Sequence, residues 1–129
     1  MANSLRVIVV DDQVDLAETT GNLLRLYGHQ VSVFDSAHAV LEALRQVNPD
    51  LIFSDIGMPG MDGCELAARI KTRPDCQRVI LAALTGLGDE EYRQAAISAG
   101  FDYRFVKPMQ PDELQHFVEE IARTRGTRR

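Results

Sequence analysis

The chain has 129 residues, 45% of them hydrophobic and 26% charged, which predicts one globular domain with a core of adequate size. The formal net charge of −5 argues against a protein that neutralises a nucleic-acid backbone. No apolar run approaches the roughly 18–20 residues that cross a bilayer, and the N-terminus lacks the pattern of a secretory signal. We therefore expect a cytosolic protein without a membrane segment.

The first half of the chain alternates strands and helices. The β-branched run from Leu5 to Val10 predicts a strand buried on both faces. Apolar residues then recur at steps of three and four from Val14 to Tyr27, which predicts an amphipathic helix that Gly28 closes. A second strand is predicted at Gln30 to Phe34.

The middle of the chain continues this alternation. Ser36 is a suitable N-cap for a helix whose apolar stripe runs from Ala37 to Val47 and stops before Pro49. A third strand is predicted at Leu51 to Ser54, followed by a loop and a helix from about Asp62 to Thr72.

The last part adds two more pairs. The predicted strands are Val79 to Leu84 and Tyr103 to Val106; the predicted helices run from about Asp89 to Ala99, ended by Gly100, and from Pro111 onward. Five strands alternating with five helices predict one parallel sheet with helices on both faces. The basic stretch from Arg123 to Arg129 is predicted to be a solvated or disordered terminus, with the core at about 5–123 and a tail at 124–129. Cys64 and Cys76 lack the spacing of a metal site and are expected to be free thiols.

Polar residues follow the predicted strands at one edge of this sheet. Asp11 and Asp12 end the first strand, Asp55 the third, Thr85 the fourth and Lys107 the fifth. In such folds ligands bind beyond the carboxyl ends of the strands. Taken singly, each residue has an ordinary explanation: a helix cap for the aspartate pair, a turn for Asp55 or Thr85, and a solvated strand end for Lys107.

Together these side chains indicate phosphoryl chemistry. Carboxylates that lie close together repel one another unless a cation compensates, and an all-oxygen ligand set favours Mg²⁺ over zinc. Lys107 offers a positive charge and Thr85 a hydroxyl to an incoming anion. This combination can place a phosphoryl group on a carboxylate.

Four motifs resemble the receiver domain of bacterial response regulators. They are "VVDD" at Val9 to Asp12, "DIGMPGMDG" at Asp55 to Gly63, "LTG" at Leu84 to Gly86 and "KP" at Lys107 and Pro108. The resemblance covers Leu5 to about Arg123. It implies a three-layer α/β/α, flavodoxin-like fold whose five-stranded parallel sheet has the order 2-1-3-4-5.

The resemblance also implies a role for each site residue. Asp55 is the expected phosphoacceptor. Asp12, Asp55 and the carbonyl of Gly57 are expected to bind Mg²⁺ directly, and Asp11 through water. Lys107 is expected to contact the phosphoryl oxygens, and Thr85 to move toward the phosphate. A cis peptide bond before Pro108 is also implied. The loop after Asp55 and the start of the next helix are expected to be shaped by Met58, Pro59, Met61 and Gly63, with Asp62 as the N-cap of that helix.

The implied partners are proteins. The phosphate donor is expected to be a sensor histidine kinase or a histidine phosphotransfer protein, and the output a downstream target or attached domain, without direct binding of nucleic acid or membrane. The stretch from Gly100 to Leu114 resembles receivers of hybrid histidine kinases. Since little chain follows the last predicted helix, we expect either a stand-alone receiver that works by protein contacts or a piece of a larger regulator or hybrid kinase.

One position departs from the family pattern. Receivers usually carry Tyr or Phe three residues before the lysine, where this chain has Arg104 between Tyr103 and Phe105. We therefore expect that output either uses Arg104 differently or relies on another face. No acid or amide stands at Gly57 or Leu87 to hold an attacking water, so rapid self-hydrolysis is not expected.

Other functions of similar folds fit the sequence less well. A Mg²⁺-dependent aspartyl phosphatase or phosphotransferase typically needs an acid two residues after the nucleophile, where this chain has Gly57. A flavodoxin-like cofactor site needs a phosphate-binding loop after the first strand, but "DDQVD" is acidic and has no glycine. A docking module that is never phosphorylated would not need the complete acidic set.

Overall fold

The computed structural model describes residues 4–86 and 93–126, in which five strands alternate with five α-helices. The strands are β1 (Arg6–Val10), β2 (Gln30–Phe34), β3 (Leu51–Asp55), β4 (Ile80–Thr85) and β5 (Tyr103–Val106). The helices are α1 (Val14–Leu26), α2 (Ala37–Ala43), α3 (Gly63–Lys71), α4 (Arg93–Ala99) and α5 (Pro111–Gly126), with a short 3₁₀ helix at Pro74–Cys76.

The strands form one parallel sheet in the order β2-β1-β3-β4-β5, which confirms the predicted topology. Val10 of β1 lies opposite Ser54 of β3, and Asp55 of β3 lies opposite Leu84 of β4. The three central strands therefore end side by side. This register brings their carboxyl ends, and the polar residues there, to one edge of the molecule.

Apolar residues of the central strands are buried on both sides of the sheet. In β1, Val7 and Val9 belong to the core beneath α1 and α5, whereas Ile8 and Val10 belong to the core beneath α2 and α3. Successive side chains of a strand point to opposite faces, so a strand between two helical layers needs a continuous apolar run. This explains why the three central strands lack the polar alternation of a half-exposed sheet.

Helix α2 is shorter than its apolar stripe predicts. The helix ends at Ala43, although the stripe continues through the buried Leu44 to Val47. After Ala43 the chain tightens, because the amides of Arg45 and Gln46 bond to carbonyls only three residues earlier. The apolar pattern therefore reflects which residues are buried, and residues remain buried in this turn after the α-helix has ended.

Other helix and strand boundaries differ from the predicted ones by a few residues. β3 and β4 each extend one residue beyond the prediction, so that Asp55 and Thr85 are themselves strand residues. For α4, residues 89–92 of the prediction lie outside the described residues. The described helices include none long and apolar enough to span a membrane.

Helix α5 includes the beginning of the predicted tail. It continues to Gly126, beyond the expected core limit near residue 123. The Arg125 side chain is only 12% exposed and pairs with Asp50 at 3.5 Å, which holds the last turn against the start of β3. Residues 127–129 lie outside the described part of the chain.

Several local predictions are confirmed. Ser36 and Asp62 cap α2 and α3 by accepting hydrogen bonds from backbone amides three residues later. Gly28 and Gly100 have positive φ angles of 97° and 104° after α1 and α4. The bond between Lys107 and Pro108 is cis. Cys64 and Cys76 are free.

Candidate functional site

Three aspartates meet at the carboxyl edge of the sheet. Asp11 and Asp12 directly follow β1, and Asp55 is the last residue of β3. Each offers a carboxylate oxygen, and these oxygens all lie within 4.8 Å of one another. Asp11 and Asp55 are buried, with 2% and 5% exposure, whereas Asp12 is open to solvent. The structure therefore brings together the three acids that the sequence singled out.

Lys107 joins this cluster from the end of β5. Its Nζ donates to Asp55 Oδ1 at 3.0 Å and lies 3.4 Å from Asp11 Oδ2. The Lys107 backbone amide also donates to the Thr85 carbonyl at 2.7 Å, which ties the lysine to the end of β4. One ammonium group thus bridges two buried carboxylates.

The charges of this cluster are only partly balanced. Burial disfavours the ionised form of Asp55 and raises its pKa from 3.8 to about 6; the Lys107 hydrogen bond opposes the rise, and the charge of Asp11 adds to it. Burial alone would lower the pKa of Lys107, but its contacts with Asp55 and Asp11 outweigh burial and raise it. The lysine therefore stays charged, and excess negative charge remains among the acids.

Asp11 is held by the backbone as well as by Lys107. Its Oδ1 accepts a hydrogen bond from the Gln13 amide at 2.9 Å. Gln13, not Asp11 or Asp12, occupies the N-cap of α1 and makes no side-chain capping bond. The helix-cap explanation of the aspartate pair is therefore wrong. The sequence did contain a signal for this contact, since aspartates often accept from an amide two residues later.

Thr85 lies at the same edge but is turned toward β5. It is 3% exposed, and its hydroxyl donates to the Phe105 carbonyl at 3.2 Å. To bind a phosphoryl group on Asp55, the Thr85 hydroxyl would have to give up its hydrogen bond to the Phe105 carbonyl. The sequence placed Thr85 at the edge but could not reveal its bond to a carbonyl 20 residues later.

The loop after Asp55 packs tightly against the start of α3. The Ile56 carbonyl accepts from the amides of Met58 and Gly63, at 3.0 and 2.9 Å. A Cβ on Gly63 would collide with the Asp55 carbonyl and lie 2.9 Å from Ile56 Cα. The sequence marked Gly63 as a loop-shaping residue, but its direct packing on the Asp55 backbone emerges only from the structure.

The donor set suits a hard divalent cation. All the clustered side-chain ligands are carboxylate oxygens, the type that Mg²⁺ prefers, and the exposed Asp12 leaves one side accessible to water. Gly57, the expected carbonyl ligand, is exposed in the loop two residues after Asp55. The site can thus hold Mg²⁺ beside a carboxylate and an ammonium group.

Arg104 lies on the α4 side of β5, since its register partner Ala83 packs with Ala96 of α4. Its neighbours Tyr103 and Phe105 point to the other side, where their rings pack edge-on against Phe117 at 4.9 and 4.8 Å. Arg104 is exposed, opposite Ala83 of β4. The aromatic rings that flank Arg104 in the sequence therefore belong to the α5 side of the sheet and do not occupy its position.

Known proteins are similar to this chain in sequence. The chain is 37% identical to the "Uncharacterized 14.6 kDa protein in sodA1 3′ region" of Leptolyngbya boryana, over 90% of this chain and 88% of that protein. It is 34% identical to the cyclic di-GMP phosphodiesterase response regulator RpfG of Xanthomonas campestris, over 94% of this chain but only 32% of the relative. The chain thus spans nearly all of one relative and about a third of the other.

A solved structure of a receiver domain has the same fold as this chain. The signal receiver domain of a signal transduction histidine kinase from Syntrophus aciditrophicus superposes with a TM-score of 0.87 at 28% identity, covering 98% of this chain and 94% of that one. The family model described as "Response regulator receiver domain" matches residues 7–119, which include every residue of the site. This chain therefore belongs to the response regulator receiver domain family.

Proposed function

We propose that Asp55 accepts a phosphoryl group from a phosphohistidine on a sensor histidine kinase or a histidine phosphotransfer protein. The observation that carries this proposal is the 3.0 Å contact between Lys107 Nζ and Asp55 Oδ1, with carboxylate oxygens of Asp11 and Asp12 within 4.8 Å of Asp55. In this proposal the chain forms a single receiver domain that acts in the cytoplasm.

The transfer itself exchanges one bond for another. A carboxylate oxygen of Asp55 forms a bond to phosphorus while the bond from phosphorus to the donor imidazole nitrogen breaks, and that nitrogen then takes up a proton. Positioning and charge neutralisation lower the barrier to such a transfer. Because burial and the charge of Asp11 raise the pKa of Asp55 to about 6, neutralisation of the surrounding negative charge would favour its ionised, nucleophilic form.

Receiver domains bind Mg²⁺ in an acidic pocket, and the acids here fit that requirement. Asp12, Asp55 and the Gly57 carbonyl would hold the ion directly, and Asp11 through a water molecule. The ion would neutralise charge on the acids and on the phosphoryl oxygens. Asp11 also keeps Lys107 oriented toward Asp55 through its 3.4 Å contact.

Lys107 and Thr85 would bind the phosphoryl group once Asp55 carries it. The Lys107 ammonium would move its hydrogen bond from the Asp55 carboxylate to a phosphoryl oxygen. The Thr85 hydroxyl would leave the Phe105 carbonyl and donate to the same phosphate, so that phosphorylation alters the contact between β4 and β5. That rearrangement is the proposed conformational signal to a downstream protein or an attached domain.

Receiver domains are signalling domains. In this proposal the chain catalyses only its own phosphorylation and dephosphorylation. Gly57 supports this view over a general phosphatase, because no acidic side chain stands two residues after Asp55 to protonate a leaving group.

The direct test is incubation of the chain with acetyl phosphate and Mg²⁺, followed by intact-mass measurement. We expect the wild type to gain one phosphoryl group, and the Asp55→Asn variant and the EDTA-treated wild type to gain none. A phosphoryl group on Asp55→Asn, or equal labelling in EDTA, would refute the proposal.

A further inference from the structure

A cavity of about 390 Å³ lies at the amino edge of the sheet, opposite the acidic site. We call it the basal cavity. It is lined by Arg6 at the start of β1, Asp50 before β3, Arg78 before β4 and Arg125 in the last turn of α5. Its volume falls within the range of roughly 300–1,000 Å³ that is usual for small-molecule sites.

The carboxylates of the basal cavity already have cationic or amide partners. Asp50 accepts from the Arg6 backbone amide at 2.9 Å and pairs with Arg125 at 3.5 Å. Asp75, which also lines the cavity, pairs with Arg73 at 3.5 Å. These acids therefore contribute little uncompensated negative charge to the cavity.

Within the described part of the chain, two guanidinium groups that line the basal cavity have no carboxylate partner. Among residues 4–86 and 93–126, neither the Arg6 nor the Arg78 side chain makes an ion pair or a hydrogen bond. Both residues are exposed and line the cavity. The basal cavity thus concentrates uncompensated positive charge in a chain whose net charge is −5.

Neutral side-chain amides add hydrogen-bond donors beside these guanidinium groups. Asn48 and Arg6 line both the basal cavity and a neighbouring cavity of about 550 Å³, which adds the amides of Gln30 and Gln46. Guanidinium groups form paired hydrogen bonds with phosphate oxygens, and side-chain amides can bind further acceptors of the same molecule. We propose that the basal cavity binds a small anion bearing phosphate groups, with Arg6 and Arg78 on the phosphate oxygens and Asn48 beside them.

The alternative is that Arg6 and Arg78 are ordinary solvated surface charges, and a titration with matched variants separates the two. The full-length chain is titrated in EDTA at constant ionic strength with inorganic pyrophosphate and, separately, with ADP, while backbone amide shifts are followed by NMR. The test variant is Arg6→Gln/Arg78→Gln. The control is Arg45→Gln/Arg69→Gln, which changes the net charge equally but at exposed arginines paired with Glu42 and Glu65.

We expect saturable shifts at Arg6, Asp50 and Val79, binding weakened about tenfold or more in the test variant, and a change of less than about twofold in the control. Tighter binding of ADP than of pyrophosphate would identify a nucleotide as the ligand, and equal binding would identify the phosphate groups alone. Absence of saturable binding, equal weakening in both variants, or shifts confined to the Asp55 edge would overturn the proposal. Because Asp55 plays no part in this cavity, the result is independent of the phosphorylation test.

Discussion

Asp55 is a carboxylate at the end of a strand that is buried along its whole length. Its ionised form is unfavourable there, because burial and the nearby Asp11 outweigh the hydrogen bond from Lys107. Since the folded-state pKa of about 6 exceeds the ordinary value of 3.8, stability is expected to fall as pH rises between these values. In the absence of a bound cation, the ionised Asp55 is therefore expected to cost folding free energy at neutral pH, and a bound cation would offset that cost.

Replacing this carboxylate with an amide should stabilise the metal-free protein. At pH 7.5 in EDTA, we expect Asp55→Asn to raise the free energy of unfolding in urea by about 1–3 kcal/mol, the range set by the raised pKa. Addition of Mg²⁺ should stabilise the wild type more than the variant. A variant less stable than the wild type in EDTA would show that the contact of Asp55 with Lys107 outweighs burial and the repulsion from Asp11.

His29 gives a pH dependence of opposite sign. Its buried Nδ1 accepts from the Leu5 amide at 3.0 Å, so the ring must be neutral at that nitrogen. Burial lowers the pKa of His29 below 6.5, although Glu119 of α5 opposes this. The stability that neutral His29 contributes is complete above pH 6.5 and is lost as pH falls through the lowered value.

The His29→Asn variant isolates this effect, because asparagine offers an acceptor that does not titrate. Between pH 7.5 and 5, we expect urea unfolding to show a larger loss of stability for the wild type than for His29→Asn. The titration of Asp55 occurs in both proteins and cancels in the comparison. Identical pH profiles would mean that His29 does not titrate on unfolding in this range.

At the scale of elements, the start of α3 packs directly on the backbone that carries Asp55. Gly63 is the point of contact, and only a residue without Cβ fits between α3 and the Asp55 carbonyl. The sequence motif identified the loop and the Asp62 cap, because both follow local rules of chain geometry. It could not reveal this close approach, since the distance depends on how α3 returns to the sheet.

We expect Gly63→Ala to destabilise the fold by about 1–3 kcal/mol or more, because backbone atoms must move to admit the methyl group. Gly57→Ala is the control for stability, since a Cβ there meets no atom within 4 Å. Urea unfolding of both variants measures the difference. Equal stabilities would show that α3 can shift at no cost.

Strand β5 gives a second prediction at this scale. Arg104 is exposed, while its neighbours anchor the strand through Phe117. If Arg104 couples phosphorylation to output, Arg104→Ala should reduce the phosphorylation-induced NMR shifts of β5 and α5 and leave the extent of phosphorylation unchanged. Shift changes of wild-type size would place the coupling on another face.

For the whole molecule, parallel topology converts separated motifs into one site. Asp11, Asp55 and Lys107 are far apart in sequence, yet each follows or ends a strand whose carboxyl end faces the same edge. Hydrophobic period and turn residues made the strands, the order of elements and this shared edge predictable. Two features could not be predicted, because neither leaves a local pattern in the sequence. One is the burial of Leu44 after the end of α2, and the other is the long-range contact between Arg125 and Asp50.

The central claim is that Asp55, and no other acid of the cluster, carries the phosphate. Borohydride reduces an aspartyl phosphate to homoserine, so the chain can be treated with acetyl phosphate and Mg²⁺, reduced, digested and mapped by tandem mass spectrometry. We predict homoserine at position 55 alone, dependent on Mg²⁺. Homoserine at position 11 or 12, or at none of the three, would contradict the account.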